Sequence, residues 1–270
     1  YSYKPDVIVS ITPKAGLISS LVAFINFTKN VRWFTGQVWA NDVGLKRKIK
    51  SLPDRITAKL SDLILVDSQP QWEFLIRNGF LREHMKVIGF GSICGVDPKI
   101  KYKPRNIAQF PLRIGVVGRI CRDKGVGDLL KFVTKYQSQL KDFEFHFFGN
   151  FDDGERDLQA EFFTIKEHLP DLLHIHRNLS DKVQIYNSFD CLLLSSFREG
   201  FSNVVIEAQF SGLPVICRDI YAIRKTFESH RSGVFFSTHE ELLSALIFFL
   251  DPFCLLVCPC ISKNLHVYKL

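Results

Sequence analysis

The 270-residue chain holds a single methionine, Met85, and only 16 Gly and 11 Pro. So few chain breakers exclude a linker-rich or collagen-like protein, and 46% apolar with 23% charged residues excludes a disordered one. Residues 1–30 lack the charged, apolar and small-residue order of a secretory signal. No uninterrupted apolar run reaches the roughly 20 residues that a spanning helix needs. The longest stretch, Leu242 to Ile261, is broken by Asp251, Pro252 and Pro259. The seven cysteines are odd in number and scattered, which predicts reduced thiols in a cytosolic protein and no disulfide framework. Neither the Gly-x-Gly-x-x-Gly fingerprint of dinucleotide binders nor a Walker loop is present, which disfavours a hydride-transfer enzyme. No Cys/His or carboxylate cluster stands at metal-ligand spacing. Cys254, Cys258 and Cys260 are followed only by His266, so no metal is expected.

What is present is unevenly placed. Residues 1–107 carry 17 Lys and Arg against 8 Asp and Glu, whereas the remainder carries 18 against 20. The whole positive excess of +7 therefore belongs to the first part of the chain, and an anionic partner is expected there. Lys46, Arg47, Lys48 and Lys50 form its densest cluster, which suits either a solvated helix face or a phospholipid surface. Nucleic acid is not expected, because no basic stretch is interleaved with stacking aromatics.

Short β-rich runs alternate with helical ones. Asp6–Ser10 reads as a strand, followed by a Pro-Lys-Ala-Gly turn and an apolar helix from Leu17 to about Phe27. Val31–Phe34 reads as a strand, Gly44–Leu60 as a basic amphipathic helix and Leu63–Asp67 as a strand. Ser68 caps a helix that Gly79 ends, and Lys86–Gly89 is a further strand. Residues 98–111, polar and Pro-containing, read as an interdomain linker. Strands are expected again at Arg113–Val117, Glu144–Phe148, Leu173–His176, Cys191–Ser195 and Pro214–Cys217. Helices from Gly125 to about Leu140, near Leu158–His168, at Val183–Ser188 and at Asn203–Phe210 intervene. Such βα alternation predicts an α/β protein of parallel sheets covered by helices, here two facing Rossmann-like domains. The expected boundaries are 1–105 for a partial N-terminal domain, 106–250 for a second domain and 251–270 for an atypical tail.

Two stretches carry chemistry. In Ser195-Ser-Phe-Arg-Glu-Gly-Phe-Ser-Asn-Val-Val-Ile-Glu-Ala208 a strand ends and a helix begins, the place where parallel sheets bind ligands. Backbone amides of Gly200, Phe201, Ser202 and Asn203, aided by the helix dipole, suit a diphosphate. Glu199 precedes the helix and Glu207 lies inside it amid apolar Val205, Ile206 and Ala208. One carboxylate can then meet a sugar ring while the other takes ribose hydroxyls; an ordinary capped helix with a surface Glu is the plainer alternative. In Ile114-Gly-Val-Val-Gly-Arg-Ile-Cys-Arg-Asp-Lys-Gly125, Arg119 and Lys124 can converge on one anion. A surface loop would explain that pair equally, and Arg122 and Asp123 read as solvated.

With their spacing, VVGRICRDKG, HFFGN and FREGFSNVVIEAQFSGLPVI resemble the family-4 retaining glycosyltransferases of the two-Rossmann GT-B architecture. SITPKAGL, WFTGQVWAN, LVDSQPQWEFLIRNGF and GSICGVD look like the branch that builds capsule, O-antigen or protein-linked glycans on undecaprenyl diphosphate. The resemblance spans about residues 4–250. It implies that Arg119 and Lys124 bind the donor diphosphate, that Glu199 contacts the donor sugar and that Glu207 holds the ribose. Gly200, Phe201 and Ser202 would supply amides, and Gly149 and Asn150 would border the base pocket. Thr12, Pro13, Lys14 and Gly16 with the Thr35-Gly36-Gln37 turn would shape the acceptor side. The implied reaction passes a sugar from a nucleotide sugar, expected to be UDP-linked, to a lipid-linked saccharide with retention and without a metal cofactor. The implied location is the cytoplasm, peripheral on the inner face of the membrane.

The chain departs from the family at both ends. The family's first strand and Gly-rich loop precede the point at which this chain begins, Ile11 stands where many relatives carry His, and DPFCLLVCPCISKNLHVYKL replaces the polar closing helices. The N-terminal domain is therefore expected to be incomplete. An inactive truncated remnant that at most binds nucleotide is the alternative expectation. A nucleotide-sugar epimerase ranks behind it, because the eight His show no acid/base cluster in the sequence.

Overall fold

β-Branched and aromatic runs separated by helical stretches fold here as expected, with every strand pair parallel. The computed structural model describes residues 4–88, 96–97, 110–224, 226 and 232–251. Most of GSICGVD, residues 98–109 of the expected linker and residues 252–270 of the tail lie outside them. The chain divides into two compact units. The first holds residues 1–94 together with 198–202 and 220–224, and the second holds the rest.

The first unit is a four-stranded sheet in the order β1 (Val7–Ser10), β2 (Lys29–Phe34), β3 (Leu63–Val66), β4 (Met85–Val87). Its helices are α1 (Pro13–Ile25), α2 (Gly44–Leu60) and α3 (Gln69–Arg77). The Pro-Lys-Ala-Gly segment is not a turn but the first turn of α1. Pro13 occupies a position where its missing N–H costs nothing and its fixed φ favours the helix. α3 is capped by Ser68, whose Oγ accepts from the Gln71 amide at 3.2 Å, and Gly79 leaves it with φ +83°. Phe34, Trp39, Ile64, Val66, Leu75, Phe80 and Met85 form the core. Trp39 stacks on Phe74 and Phe80, and its indole N–H donates to the buried Asp54 of α2 at 2.7 Å.

The second unit is a six-stranded sheet in the order β10-β9-β8-β5-β6-β7. Its strands are β5 (Leu112–Val117), β6 (Phe143–Phe148), β7 (Leu173–His176), β8 (Cys191–Leu194), β9 (Val215–Arg218) and β10 (Gly233–Phe236). α4 (Val126–Tyr136), α5 (Arg156–His168), α6 (Lys182–Tyr186), α7 (Asn203–Phe210) and α8 (His239–Phe248) accompany it. The expected helix from Gly125 to Leu140 is shorter: 3-10 turns at Arg122–Lys124 and Gln137–Gln139 flank α4. Order reverses between β5 and β8, and ligands of open parallel sheets bind at the C-terminal strand ends beside such a switch point. Phe145 and Phe147 pack one face of the sheet, with Phe147 edge-on to Phe162 of α5. β10 and α8 were not foreseen from the sequence, although Thr238 and Glu241 form a capping box at the start of α8. Among the described residues no helix is long and apolar enough to cross a membrane.

Candidate active site

In the second unit three glycines let backbone segments meet at the C-terminal ends of β5, β6 and β8. Gly118 (φ +135°), Gly125 (φ +75°) and Gly149 (φ +154°) all occupy conformations that side chains resist. A Cβ on Gly149 would lie 2.0 Å from the Gly118 carbonyl, and one on Gly125 would lie 2.0 Å from the Ser195 carbonyl. Ser195 Oγ donates to the Lys124 carbonyl at 2.8 Å, and Arg218 Nε donates to the Ser195 carbonyl at 2.9 Å. The result is a small pocket lined by Gly118, Arg119, Ile120, Lys124, Ser195 and Ser196 among others. The structure therefore brings Arg119 and Lys124 to one concavity. Arg119 is exposed and ion-paired with Asp152. Arg122 and Asp123 are exposed, in keeping with their solvated reading.

Glu207 is only 4% exposed on α7. Lys182 Nζ donates to its Oε1 at 2.5 Å and the Tyr186 hydroxyl donates to its Oε2 at 2.6 Å. Burial, reinforced by the neighbouring carboxylate, pushes the Tyr186 phenol far above its ordinary range, so it stays a donor. The plain surface-Glu alternative is thus removed. Gly149 and Asn150 end β6: the Gly149 amide donates to the His176 carbonyl at 3.1 Å, and Asn150 Nδ2 donates to Asn178 Oδ1 at 3.1 Å. Asn203 opens α7.

Glu199, Gly200, Phe201 and Ser202 belong to the first unit. There Gly200 is pressed against the Thr35-Gly36-Gln37 turn: a Cβ on it would lie 2.4 Å from the Thr35 carbonyl. Ser68 Oγ donates to the Gly200 carbonyl at 3.0 Å. Gln37 is 1% exposed; its Oε1 accepts from the Tyr221 hydroxyl at 2.9 Å, and its Nε2 has no partner among the described residues. Ser202 Oγ is likewise buried without a partner among the described residues.

Asp67, which the sequence did not single out, sits under this turn. It is 4% exposed, and the Trp33 indole N–H donates to its Oδ1 at 2.7 Å. Burial pushes its carboxyl up to about 6, with the Trp33 hydrogen bond opposing the shift. Its position at the end of β3, one residue before the cap of α3, was the available signal.

On the acceptor side Thr12, Pro13 and Lys14 are exposed at the start of α1. Gly16 is buried, and a Cβ there would lie 2.7 Å from Arg32 Nε, so it makes room for that buried guanidinium. The basic cluster on α2 is corrected in part. Arg47 turns inward, its guanidinium donating to the carbonyls of Ala40 and Asp42. Lys46, Lys48 and Lys50 are exposed, and Lys46 and Lys50 each lie 2.9 Å from an oxygen of Asp42.

The expectation of no metal-ligand cluster meets a different geometry. β6 and β7 bring together Glu144, His146 and His174, which are 28 residues apart between the two histidines yet neighbours across the ladder. The alternating E-F-H and H-I-H patterns were the signal, legible only once those strands are known to pair.

Two parallel sheets with helices between their strands define an α/β protein of two Rossmann-like units, the GT-B class. Residues 100–251 match the family of glycosyl transferases group 1, and the chain belongs to that family. It is 27% identical over 241 residues to the capsular polysaccharide biosynthesis glycosyltransferase CapM of Staphylococcus aureus. That match takes in 85% of this chain and 63% of the relative, so the chain spans less than two thirds of that relative's length. Among solved structures, Anabaena HepE in complex with UDP and glucose superposes with a TM-score of 0.79 at 17% identity, covering 98% of this chain and 74% of that one. Sucrose-phosphate synthase from Thermosynechococcus elongatus gives 0.80 at 16% identity, covering 99% and 71%.

Proposed function

We propose that the protein transfers a sugar from a UDP-sugar to a lipid-linked saccharide, with retention at the anomeric carbon, in capsule or O-antigen synthesis. The observation that carries this reading is the glycine-framed pocket that places Arg119 and Lys124 together at the strand ends. There the donor diphosphate would leave against two cations, needing no metal, while the anomeric carbon exchanges its phosphate oxygen for an acceptor hydroxyl oxygen and the hydroxyl proton passes to the departing phosphate. Glu207 would take the ribose hydroxyls and Asn150 would border the base. Glu199 would hold the donor sugar. The CapM and HepE likenesses support the polysaccharide context and the UDP donor respectively.

Calorimetric titration of UDP into the full chain tests the donor site. Saturable binding is expected, weakened at least about tenfold in Arg119→Ala, in line with loss of a charge-assisted hydrogen bond. Unchanged affinity in both Arg119→Ala and Lys124→Ala would remove the pocket from the reaction.

The acceptor reading places the protein in the cytoplasm, peripheral on the membrane's inner face. α2 supports it: Leu45, Ile49, Leu52 and Ile56 are exposed at helical spacing beside Lys46, Lys48 and Lys50. Changing the three lysines to Glu is expected to weaken sedimentation with anionic liposomes by at least about tenfold, given ~1 kcal/mol for each basic residue near such a surface. UDP affinity should be unaffected. Equal liposome binding by the variant would refute the membrane contact.

A further inference from the structure

One cluster of titratable side chains in the second unit takes no part in the transfer reaction proposed above. β7 is the terminal strand of the sheet and pairs in parallel with β6, His146 opposite His174 and Phe148 opposite His176. Strand side chains alternate between faces, so Glu144, His146, His174 and His176 share one face of this ladder. Phe145 and Phe147, buried in the core, take the other. The imidazoles are stacked: His146 lies 4.6 Å from His174 and 5.3 Å from His176 between ring centroids. His146 Nε2 is 3.0 Å from Glu144 Oε2, and His146 Nδ1 is 3.0 Å from His176 Nε2. One ligand atom from each of Glu144, His146 and His174 lies within 4.8 Å of the others, and all three residues are half-buried.

We propose that Glu144, His146 and His174 form a binding site for one divalent transition-metal ion, best matched by zinc, with His176 as the residue that orients His146. Two imidazoles and one carboxylate are a donor set that zinc accepts readily, leaving a fourth position for water. Ligand atoms about 2.0–2.2 Å from a tetrahedral ion stand roughly 3.3 Å from one another. The Glu144 and His146 ligand atoms already stand 3.0 Å apart, and one ligand atom from each of the three residues lies within 4.8 Å of the others, so small side-chain shifts on a fixed ladder would close them on an ion.

The outer partners that such ligands require are also in place. His174 Nε2 donates to the Asp171 carbonyl at 3.0 Å, which leaves Nδ1 with the lone pair for a metal. With the ion on Nε2 of His146, that ring carries its proton on Nδ1 and donates it to Nε2 of His176. His176 in turn keeps its own proton on Nδ1. Both rings remain neutral, no electrons move, and only the tautomers change. The ion would tie the edge strand β7 to β6, a role separate from the diphosphate pocket.

Titration of the full chain with zinc chloride, followed by calorimetry and thermal unfolding, tests the site. One equivalent is expected to bind with micromolar or tighter affinity and to raise the melting temperature. Affinity should fall at least about tenfold in His174→Ala and in Glu144→Gln, the latter a near-isosteric change that spares the fold if the former does not. Cobalt bound in zinc's place should show the visible absorption of a tetrahedral nitrogen and oxygen site in the native chain and lose it in both variants. No binding by the native chain would overturn the proposal. So would binding that survives both variants, or that disappears only when Cys254, Cys258 and Cys260 are changed to Ser.

Discussion

Replacing Glu207 with Ala is expected to lower the unfolding free energy by about 2–3 kcal/mol and to abolish detectable UDP binding. The two effects have different sources. Lys182 is about half exposed and can return to water when its partner is removed, so its loss costs little. The buried Tyr186 hydroxyl would lose its bond to the Glu207 carboxylate, which costs about 1–3 kcal/mol, and removing the side chain adds a cavity in α7's packing. Glu207→Gln separates structure from ligand binding. The amide oxygen still accepts from Tyr186, so most of the stability should return. The charge that strengthens a bond to ribose hydroxyls does not return, so UDP should still bind more weakly than to the native chain. Urea denaturation and calorimetry of both variants provide the check. An alanine variant that folds and binds UDP normally would show that the carboxylate only braces α6 against α7.

Asp67→Asn should change how stability depends on pH. The folded carboxyl titrates at about 6, against roughly 3.9 in an unfolded chain. Between those values the native state holds the proton more tightly than the unfolded state. Stability from this group therefore falls as pH rises from about 4 to about 6 and stays low above that. The accumulated loss is about 2–3 kcal/mol at neutral pH. Asn is neutral throughout and can still accept from the Trp33 indole through its amide oxygen. The variant should match the native protein near pH 4 and exceed it at pH 7.5. Parallel stability curves for the two proteins across that interval would show that Asp67 is solvated when ionised.

Much of this architecture was legible because local signals agreed with one another. Gly44–Leu60, Leu173–His176 and Asn203–Phe210 have the boundaries expected from periodicity, and the Ser68 cap and Gly79 stop are where side-chain chemistry puts them. Arg119 and Lys124 were readable as a pair because a glycine turn follows a strand. What escaped depended on partners distant in sequence. Nothing local tells Gly16 that Arg32 will lie beneath it. The place of Asp67 at the end of β3 was a local signal, but its raised pKa comes from burial, which no local pattern reports. The Glu144, His146 and His174 grouping is of the same kind: pairing of β6 with β7 creates it, and neither strand alone contains it.

The first unit is not continuous in the chain, since residues 198–202 and 220–224 return to it from far downstream. Its Gln37 has its tyrosine donor only after position 221 has been made, and the Thr35 turn has its glycine neighbour only after position 200. During synthesis the ribosome must therefore release more than two hundred residues before the first sheet acquires its last side-chain partners. Until then the turn that carries Gln37 and the carboxyl of Asp67 stand uncovered. Completion of the early half is thus a late event in the life of the nascent polypeptide.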